Sequence, residues 1–390
     1  MTGGGAMDGR RIRVCHIITL LELGGAQQNT LHTVRKLDRS RFEPILVAGR
    51  GGFLDGEAER IEDLETFFLP ELVREVDPGR DLRALLRMVA FLRERRPEIV
   101  HTHSSKAGIL GRYAAFLAGV PVIIHTIHGF GITPEQGRAR RWLFRSLESA
   151  ASSVTTRLLA VSNANLEEGV ATGLFPREKA MVVRSGVDLA SFRNGASSGD
   201  LRASLGIPPE APVAGMVACL KPQKAPLDYV AVAERVAPRV PGAHFLLVGD
   251  GELRRRVEEA VVRVGLGGRF HILGWRRDIP SILKNLSVLV LTSLWEGLPR
   301  VVPEAMAAGL PVVATRVDGT AEAVRDGETG YLAAPHDIGT MAARVTGLLA
   351  DPALARRMGE RARVGAEEFD IDAMVRRQEA IYQEALGRAG

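Results

Sequence analysis

At about 150 residues per domain, a chain of 390 residues is long enough for roughly two to three domains. With 46% hydrophobic and 25% charged residues it has the composition of a folded globular protein, which excludes a disordered, collagen-like or all-polar chain. The formal charge of +5 permits an anionic partner without demanding one, and it rests on arginine, because only six of the 51 cations are lysine.

Residues 1–10, which include four glycines, read as a flexible leader. The apolar run that follows Arg10 and Arg11, from Val14 to Leu21, reads as a first strand. A signal peptide fits less well, because Glu22, Gly24 and Gly25 stand where a small-residue cleavage site would be. Further apolar runs lie at 44–48, 66–69, 99–102, 122–126 and 158–161, with helical patterns such as 81–96 and 106–118 between them. After a gap the alternation resumes, with runs at 213–218, 244–248, 270–273, 288–291, 311–315 and 330–332 and helical patterns at 226–240 and 252–264. Strands that are apolar throughout and separated by helices indicate parallel sheets covered on both faces.

The small, polar and aperiodic stretch 189–200 marks a break, with roughly six strand–helix units on either side. The expected architecture is therefore α/β, with two doubly wound Rossmann-like domains, 11–190 and 191–371, facing a central cleft. A last helix, 372–390, carries Met374, Val375, Ile381, Tyr382 and Leu386 as a partial stripe, and either domain can hold it, a crossing back to the first included. The most apolar stretch, 113–127, is shorter than the ~20 residues of a membrane span and contains His125. Cys15 and Cys219 are too few for a disulfide framework or a cysteine-rich zinc site, which fits a reducing, cytoplasmic setting.

The densest chemical signal follows the run 288–291. Glu296 falls in the loop at that strand's carboxyl end, and Glu304 lies eight residues on, in the next helix. Gly297, Leu298, Pro299 and Arg300 lie between them, at a helix start where backbone N–H groups and the macrodipole favour an anion. A bare pair of acids is ordinarily a loop carboxylate and a solvated helix residue. Here the glycine, the proline and the small residues around the pair favour two carboxylates that grip sugar hydroxyls beside a phosphate site.

Lys221 and Lys224, two of the six lysines, sit in the loop after the run 213–218, where a doubly wound sheet binds phosphate. Gly249 and Gly251 end the run 244–248 and would let backbone pass close to a base or ribose, although a Gly-x-Gly turn alone is weak. Gly24 and Gly25 join the first strand to a helix. That loop lacks both the third glycine of a dinucleotide fingerprint and the Lys-Ser/Thr of a Walker loop, which argues against both NAD and a P-loop ATPase. His101, His103 and Ser104, and then His125 and His128, cluster at strand ends. No carboxylate or cysteine accompanies them, so hydrogen bonding to a sugar or acceptor hydroxyl outranks a metal site, with a core role for His125.

Taken in this order, these residues resemble the retaining glycosyltransferases of family 4. The likeness rests on Glu296 and Glu304 as a Glu-x7-Glu motif, the Gly24-Gly25 loop, His128-Gly129, Ser185 to Asp188, the Lys224 loop, Val248 to Gly251, and Gly330 to Leu332. It covers nearly the whole chain and implies a two-domain GT-B fold, an acceptor-binding first domain and a second domain that binds a nucleotide sugar. It further implies transfer of a hexose-type sugar from a nucleoside-diphosphate sugar to a hydroxyl, with retention and without an essential metal or other cofactor.

The resemblance also implies residue roles. Glu296 would hold donor-sugar hydroxyls and Glu304 the ribose. Lys224 would neutralise the diphosphate together with the amides of Leu298 to Arg300 and the Gly24-Gly25 loop. His128 would sit by the reacting centre, so Glu296, Lys224 and His128 form the catalytic set. His101, His103 and Ser104 would lie with His128 on the acceptor side. The family places an arginine where this chain has Cys219, which leaves Lys221 or Arg300 to supply that cation.

Arg138, Arg140, Arg141 and Arg145, interleaved with Trp142, Leu143, Phe144 and Leu147, would suit an anionic membrane beside a lipid-linked or cell-envelope glycan acceptor. Arg83, Arg87, Arg93, Arg95 and Arg96 form a second basic stretch. Arginine stems covering a core-facing helix are the plainer reading of both. The alternatives within this architecture are a nucleotide-sugar epimerase and a non-catalytic nucleotide-sugar-binding protein. Aromatics at 5% argue against the stacking grooves of a nucleic-acid binder.

Overall fold

The computed structural model describes residues 10–131, 137–195 and 199–389. The leader before Arg10 lies outside them. The chain divides into two compact units: one runs up to Gly186 and takes in Ile371 onward, the other spans Val187–Asp370.

The first unit holds β1 (Ile12–Ile18), β2 (Phe42–Ala48), β3 (Glu65–Phe68), β4 (Ile99–His103), β5 (Val122–Ile127), β6 (Arg157–Ala160) and β7 (Ala180–Val182). They form one sheet in the order β3-β2-β1-β4-β5-β6-β7, and every pairing is parallel. Successive side chains of a strand face opposite ways. Cys15 and Ile17 therefore pack under the helices Pro78–Arg95 and Ser105–Ala118, while Val14 packs on the other face. The last helix, Ile371–Ala389, covers that other face, burying Ile371, Met374, Val375, Ile381, Tyr382 and Ala385 against Phe42, Ile99, Val122 and Ile124. Each large apolar side chain buried in this way contributes about 1.5–3 kcal/mol relative to exposure.

The second unit holds β8 (Val213–Val217), β9 (His244–Val248), β10 (Phe270–Ile272), β11 (Val288–Leu291), β12 (Val312–Thr315) and β13 (Gly330–Ala333), in the order β10-β9-β8-β11-β12-β13. Its pairings are parallel too. Strand order reverses between β1 and β4 in the first sheet and between β8 and β11 in the second. In doubly wound sheets, ligand sites form at such switch points, beyond the carboxyl ends of the strands.

Two sequence expectations need correction. The first sheet has a seventh strand, β7, whose three half-buried residues carry no alternation and are held by the ladder to β6. The break drawn at 189–200 also falls elsewhere, because Leu189–Asn194 is a helix. Asp188 caps it, accepting from the Ser191 N–H at 3.2 Å, and Leu189 and Phe192 are buried. This helix packs on the helix Val301–Ala307, so the units divide after Gly186 and again after Asp370. Residues 196–198 lie outside the described ones.

Candidate active site

In the second unit, the loops after β8 and β11 leave from the switch point and meet. The β8 loop closes in a short 3-10 turn, Pro222–Lys224, and Ala225 at φ +43° redirects the chain into the helix Pro226–Val236. The β11 loop is laced to it: the Leu294 N–H donates to the Gln223 carbonyl at 2.7 Å, and Gln223 Nε2 donates to the Trp295 carbonyl at 2.8 Å. Thr292 Oγ1 lies 2.9 Å from the carbonyls of both Lys224 and Ala225. This lacing brings Lys224 Nζ into an ion pair with Glu296 Oε1, the glutamate being only 7% exposed.

Two further residues complete the setting of Glu296. Ser293 Oγ donates to the same Oε1 at 2.6 Å, and the Glu296 N–H donates to Asp318 Oδ2 at 2.7 Å. Asp318 follows β12 and holds φ +35°, a left-handed conformation that costs an aspartate energy. Burial raises its carboxyl above the ordinary range and the nearby Glu296 charge adds to this, while the bond from the Glu296 amide opposes them. A second tie joins the same loops, from the Gly319 N–H to the Gly297 carbonyl at 3.1 Å. The sequence offered a signal for Asp318, namely its place at the carboxyl end of the strand next to β11. Ser293 stands inside the densest motif.

Glu304 pairs within its own helix. It lies in the first turn of Val301–Ala307, buried, with Arg300 Nη2 at 3.6 Å from Oε1. Burial pushes its carboxyl up against the pull of Arg300, and burial likewise lowers the Arg300 guanidinium. The expected pair of acids is thus held by two different cations, Lys224 and Arg300.

Pro299 has no N–H, so the donors at this turn come from its neighbours; its carbonyl accepts from the Val302 N–H at 3.0 Å. Leu298 and Pro299 are buried. Lys221 and Cys219 are half-buried in the β8 loop. Gly249 and Gly251 answer to the sheet. At φ +132° and +155°, a Cβ there would lie 2.0 Å from the Ala218 carbonyl oxygen and 2.6 Å from that of Leu220, so the chain itself requires glycine at both. Gly24 and Gly25 lie in the first unit, at the start of the helix Gly25–Lys36.

The first unit gathers the histidines at its own switch point, where His16 of β1 pairs in register with His101 of β4. His103 Nε2 lies 3.0 Å from His16 Nδ1, and His103 Nδ1 lies 3.2 Å from His128 Nε2. Burial lowers the His16 imidazole to about 3 and carries His101 and His103 well below the ordinary histidine range. His125 is a core residue, accepting or donating at 2.9 Å with Thr102 Oγ1. Ser104, at φ +61°, meets the Thr19 hydroxyl at 2.8 Å. His103 and His128 also line a small cavity with Asn29, Thr33, Thr126, Ser185 and Gln378.

The two basic stretches differ. On Pro78–Arg95, Arg87 pairs with Glu71 at 2.9 Å and Arg95 with Glu65 at 2.7 Å, so much of that charge is neutralised at the surface. The helix Arg138–Ser153 instead leaves Trp142 70% and Leu143 50% exposed among its arginines. The Arg140 side chain lies outside the described ones. Among the described residues no helix is long and apolar enough to cross a membrane.

Two Rossmann-like α/β domains, the second with a lysine–carboxylate cluster at its switch point, define a GT-B protein. The family models agree: Glycosyltransferase Family 4 matches residues 23–191 and Glycosyl transferases group 1 matches residues 197–364. The chain is 35% identical over 332 residues to a UDP-Gal:alpha-D-GlcNAc-diphosphoundecaprenol alpha-1,3-galactosyltransferase of Escherichia coli, covering 84% of this chain and 85% of that one.

Among solved structures, Anabaena HepE in complex with UDP and glucose superposes with a TM-score of 0.82 at 21% identity, over 96% of this chain and 100% of HepE. Sucrose-phosphate synthase from Thermosynechococcus elongatus does so with 0.84 at 22% identity, over 97% of this chain and 100% of that one. This chain belongs to glycosyltransferase family 4 of the group 1 glycosyltransferases, and it is a glycosyltransferase.

Proposed function

We propose that this enzyme transfers a hexose from a uridine-diphosphate sugar to a hydroxyl of a lipid-diphosphate-linked glycan, with retention of anomeric configuration and without an essential metal. The observation that carries the reading is the Lys224–Glu296 pair, set by Ser293 and Asp318 at the switch point of the second sheet. The nature of the E. coli relative supports a UDP-hexose and a lipid-linked acceptor.

The chemistry follows from charge. As the bond from the anomeric carbon to the diphosphate breaks, negative charge grows on the leaving phosphate, and preorganised cations lower that barrier. Lys224 then exchanges its partner, Glu296, for phosphate oxygens. The released carboxylate of Glu296 accepts hydrogen bonds from vicinal sugar hydroxyls, while Ser293 and Asp318 keep it in place. Glu304 receives the ribose hydroxyls, with Arg300 beside it. On the retaining course, the departing phosphate takes the acceptor's proton on the face from which it leaves. The exposed Trp142 and Leu143, among Arg138, Arg141 and Arg145, meet an anionic bilayer that presents the lipid acceptor.

The test is incubation with UDP-galactose, UDP-glucose, UDP-N-acetylglucosamine and GDP-mannose, following nucleoside diphosphate release with and without EDTA. Release from one uridine donor, unchanged by EDTA, is expected. Glu296→Ala and Lys224→Ala should each cut turnover by about 100-fold or more, the usual cost of removing a group that meets developing charge. Unchanged turnover in both variants would refute the site. An altered sugar nucleotide, released without any acceptor, would mark an epimerase instead.

A further inference from the structure

The last helix packs beside the helix Gly25–Lys36, and polar contacts fasten the two. His32 Nε2 lies 3.1 Å from Asp372 Oδ1, and the Asp38 N–H donates to Glu379 Oε1 at 2.8 Å. Both helices also wall the small cavity that lies against His103 and Thr126, near the carboxyl ends of β4 and β5. Asn29 and Thr33 stand four residues apart on one helix, and Met374 and Gln378 four apart on the other. Each pair therefore presents a single helical face to the cavity.

Two of these wall residues carry polar atoms that the protein leaves unmet. Among the described residues, Asn29 Nδ2, Asn29 Oδ1 and Gln378 Oε1 have no hydrogen-bond partner, although Asn29 is 4% and Gln378 5% exposed. A buried amide left in that state costs its full desolvation, and native interiors meet such groups with ordered water. The cavity offers about 10 Å³ to the centre of a water molecule, roughly what one water needs. No sugar ring fits that space, and every wall residue except the half-buried His128 is buried. A water donates twice and accepts twice, so it serves whichever end of each amide faces the cavity. The hydroxyls of Thr33 and Ser185 line the same space and offer it further partners.

We propose that this cavity is a water-binding site, in which one ordered water bonded to Asn29 and Gln378 links the last helix to the helix Gly25–Lys36. The apolar side chains of the last helix set its depth on the sheet. The water, with Asp372 and Glu379, sets its place along the neighbouring helix. This inference stands apart from the function proposed above.

A crystal structure of the intact protein reads the site directly, with no variant required to fold. The expected density is a single water within about 3.2 Å of both side chains. Two amides bonded directly to each other, or no water against them, would overturn the proposal, and so would a larger molecule in the cavity. Thermal unfolding of Asn29→Leu, Gln378→Met and the double variant supplies a second arm. Each single substitution should lower the midpoint. The double variant should lose less than the sum of the two, because the second substitution removes the amide that the first has stranded. Losses that simply add would show that no shared water joins the pair. A direct amide–amide bond would couple them as well, and the density separates that case.

Discussion

Asp318 shows how much a single residue is asked to do at this site. Its backbone sits at φ +35°, where glycine would be unstrained, and its carboxylate holds the Glu296 amide at 2.7 Å. A strained residue persists when its surroundings over-determine it, and here the gain is the orientation of a buried carboxylate. Asp318→Gly should therefore leave folding stability within about 1 kcal/mol of the parent, since relief of strain offsets the lost hydrogen bond. Turnover should fall by roughly tenfold, because a group misplaced by a fraction of its bond length loses catalytic alignment. Thermal unfolding and donor-release kinetics on the same sample check both halves. A large stability loss with full activity would reverse the assignment.

At the scale of elements, the second sheet requires two strand ends to approach so closely that one of them has no room for a side chain. The loop after β9 crosses the end of β8 with the Gly249 backbone against the Ala218 carbonyl, and the Gly249 N–H donates to the Gly274 carbonyl at 2.8 Å. Gly249→Ala adds a Cβ 2.0 Å from an oxygen at a position already at positive φ, and nothing flexible is there to yield. The expected cost is about 3 kcal/mol or more. Gly327 is the control: at φ +79°, with nothing within 4 Å of an added Cβ, its alanine variant should lose only about 1 kcal/mol. Urea unfolding of the two variants side by side measures the difference, and equal losses would show that the backbone conformation, and not the crossing, sets the requirement.

At the scale of the whole chain, the buried histidines make the first unit acid-sensitive. His16, His101, His103 and His125 all have folded pKa values below 6.5, chiefly through burial. Below 6.5 the unfolded chain binds protons that the folded one refuses, so stability falls as pH drops through that value and is flat above it. For His16 the interval runs from 6.5 down to about 3. Each such group adds up to about 1.4 kcal/mol per pH unit within its interval. Unfolding midpoints measured from pH 8 to pH 4 should therefore be level at first and then fall steeply. Stability that holds steady to pH 4 would mean that these imidazoles ionise in place.

The parallel sheets were legible in the alternation of apolar runs and helical stripes, because burial on both faces leaves a local mark on every strand. So were the places of Lys224 and Glu296 in loops at the carboxyl ends of strands and of Glu304 in the helix that follows, since each comes directly from the order of apolar runs and helical stretches. The seventh strand left no mark, because three half-buried residues have no period of their own. What the tertiary structure alone decided is partnership: that Glu296 meets Lys224 and Asp318 while Glu304 meets Arg300, and that Gly249 answers to a neighbouring carbonyl. It also decided that Tyr382, 366 residues along the chain from His16, meets that histidine at 3.5 Å. The physical reason is that patterning records how deeply a residue is buried, whereas the identity of its neighbour depends on which strands and helices pack side by side, and that is settled only when the sheets assemble.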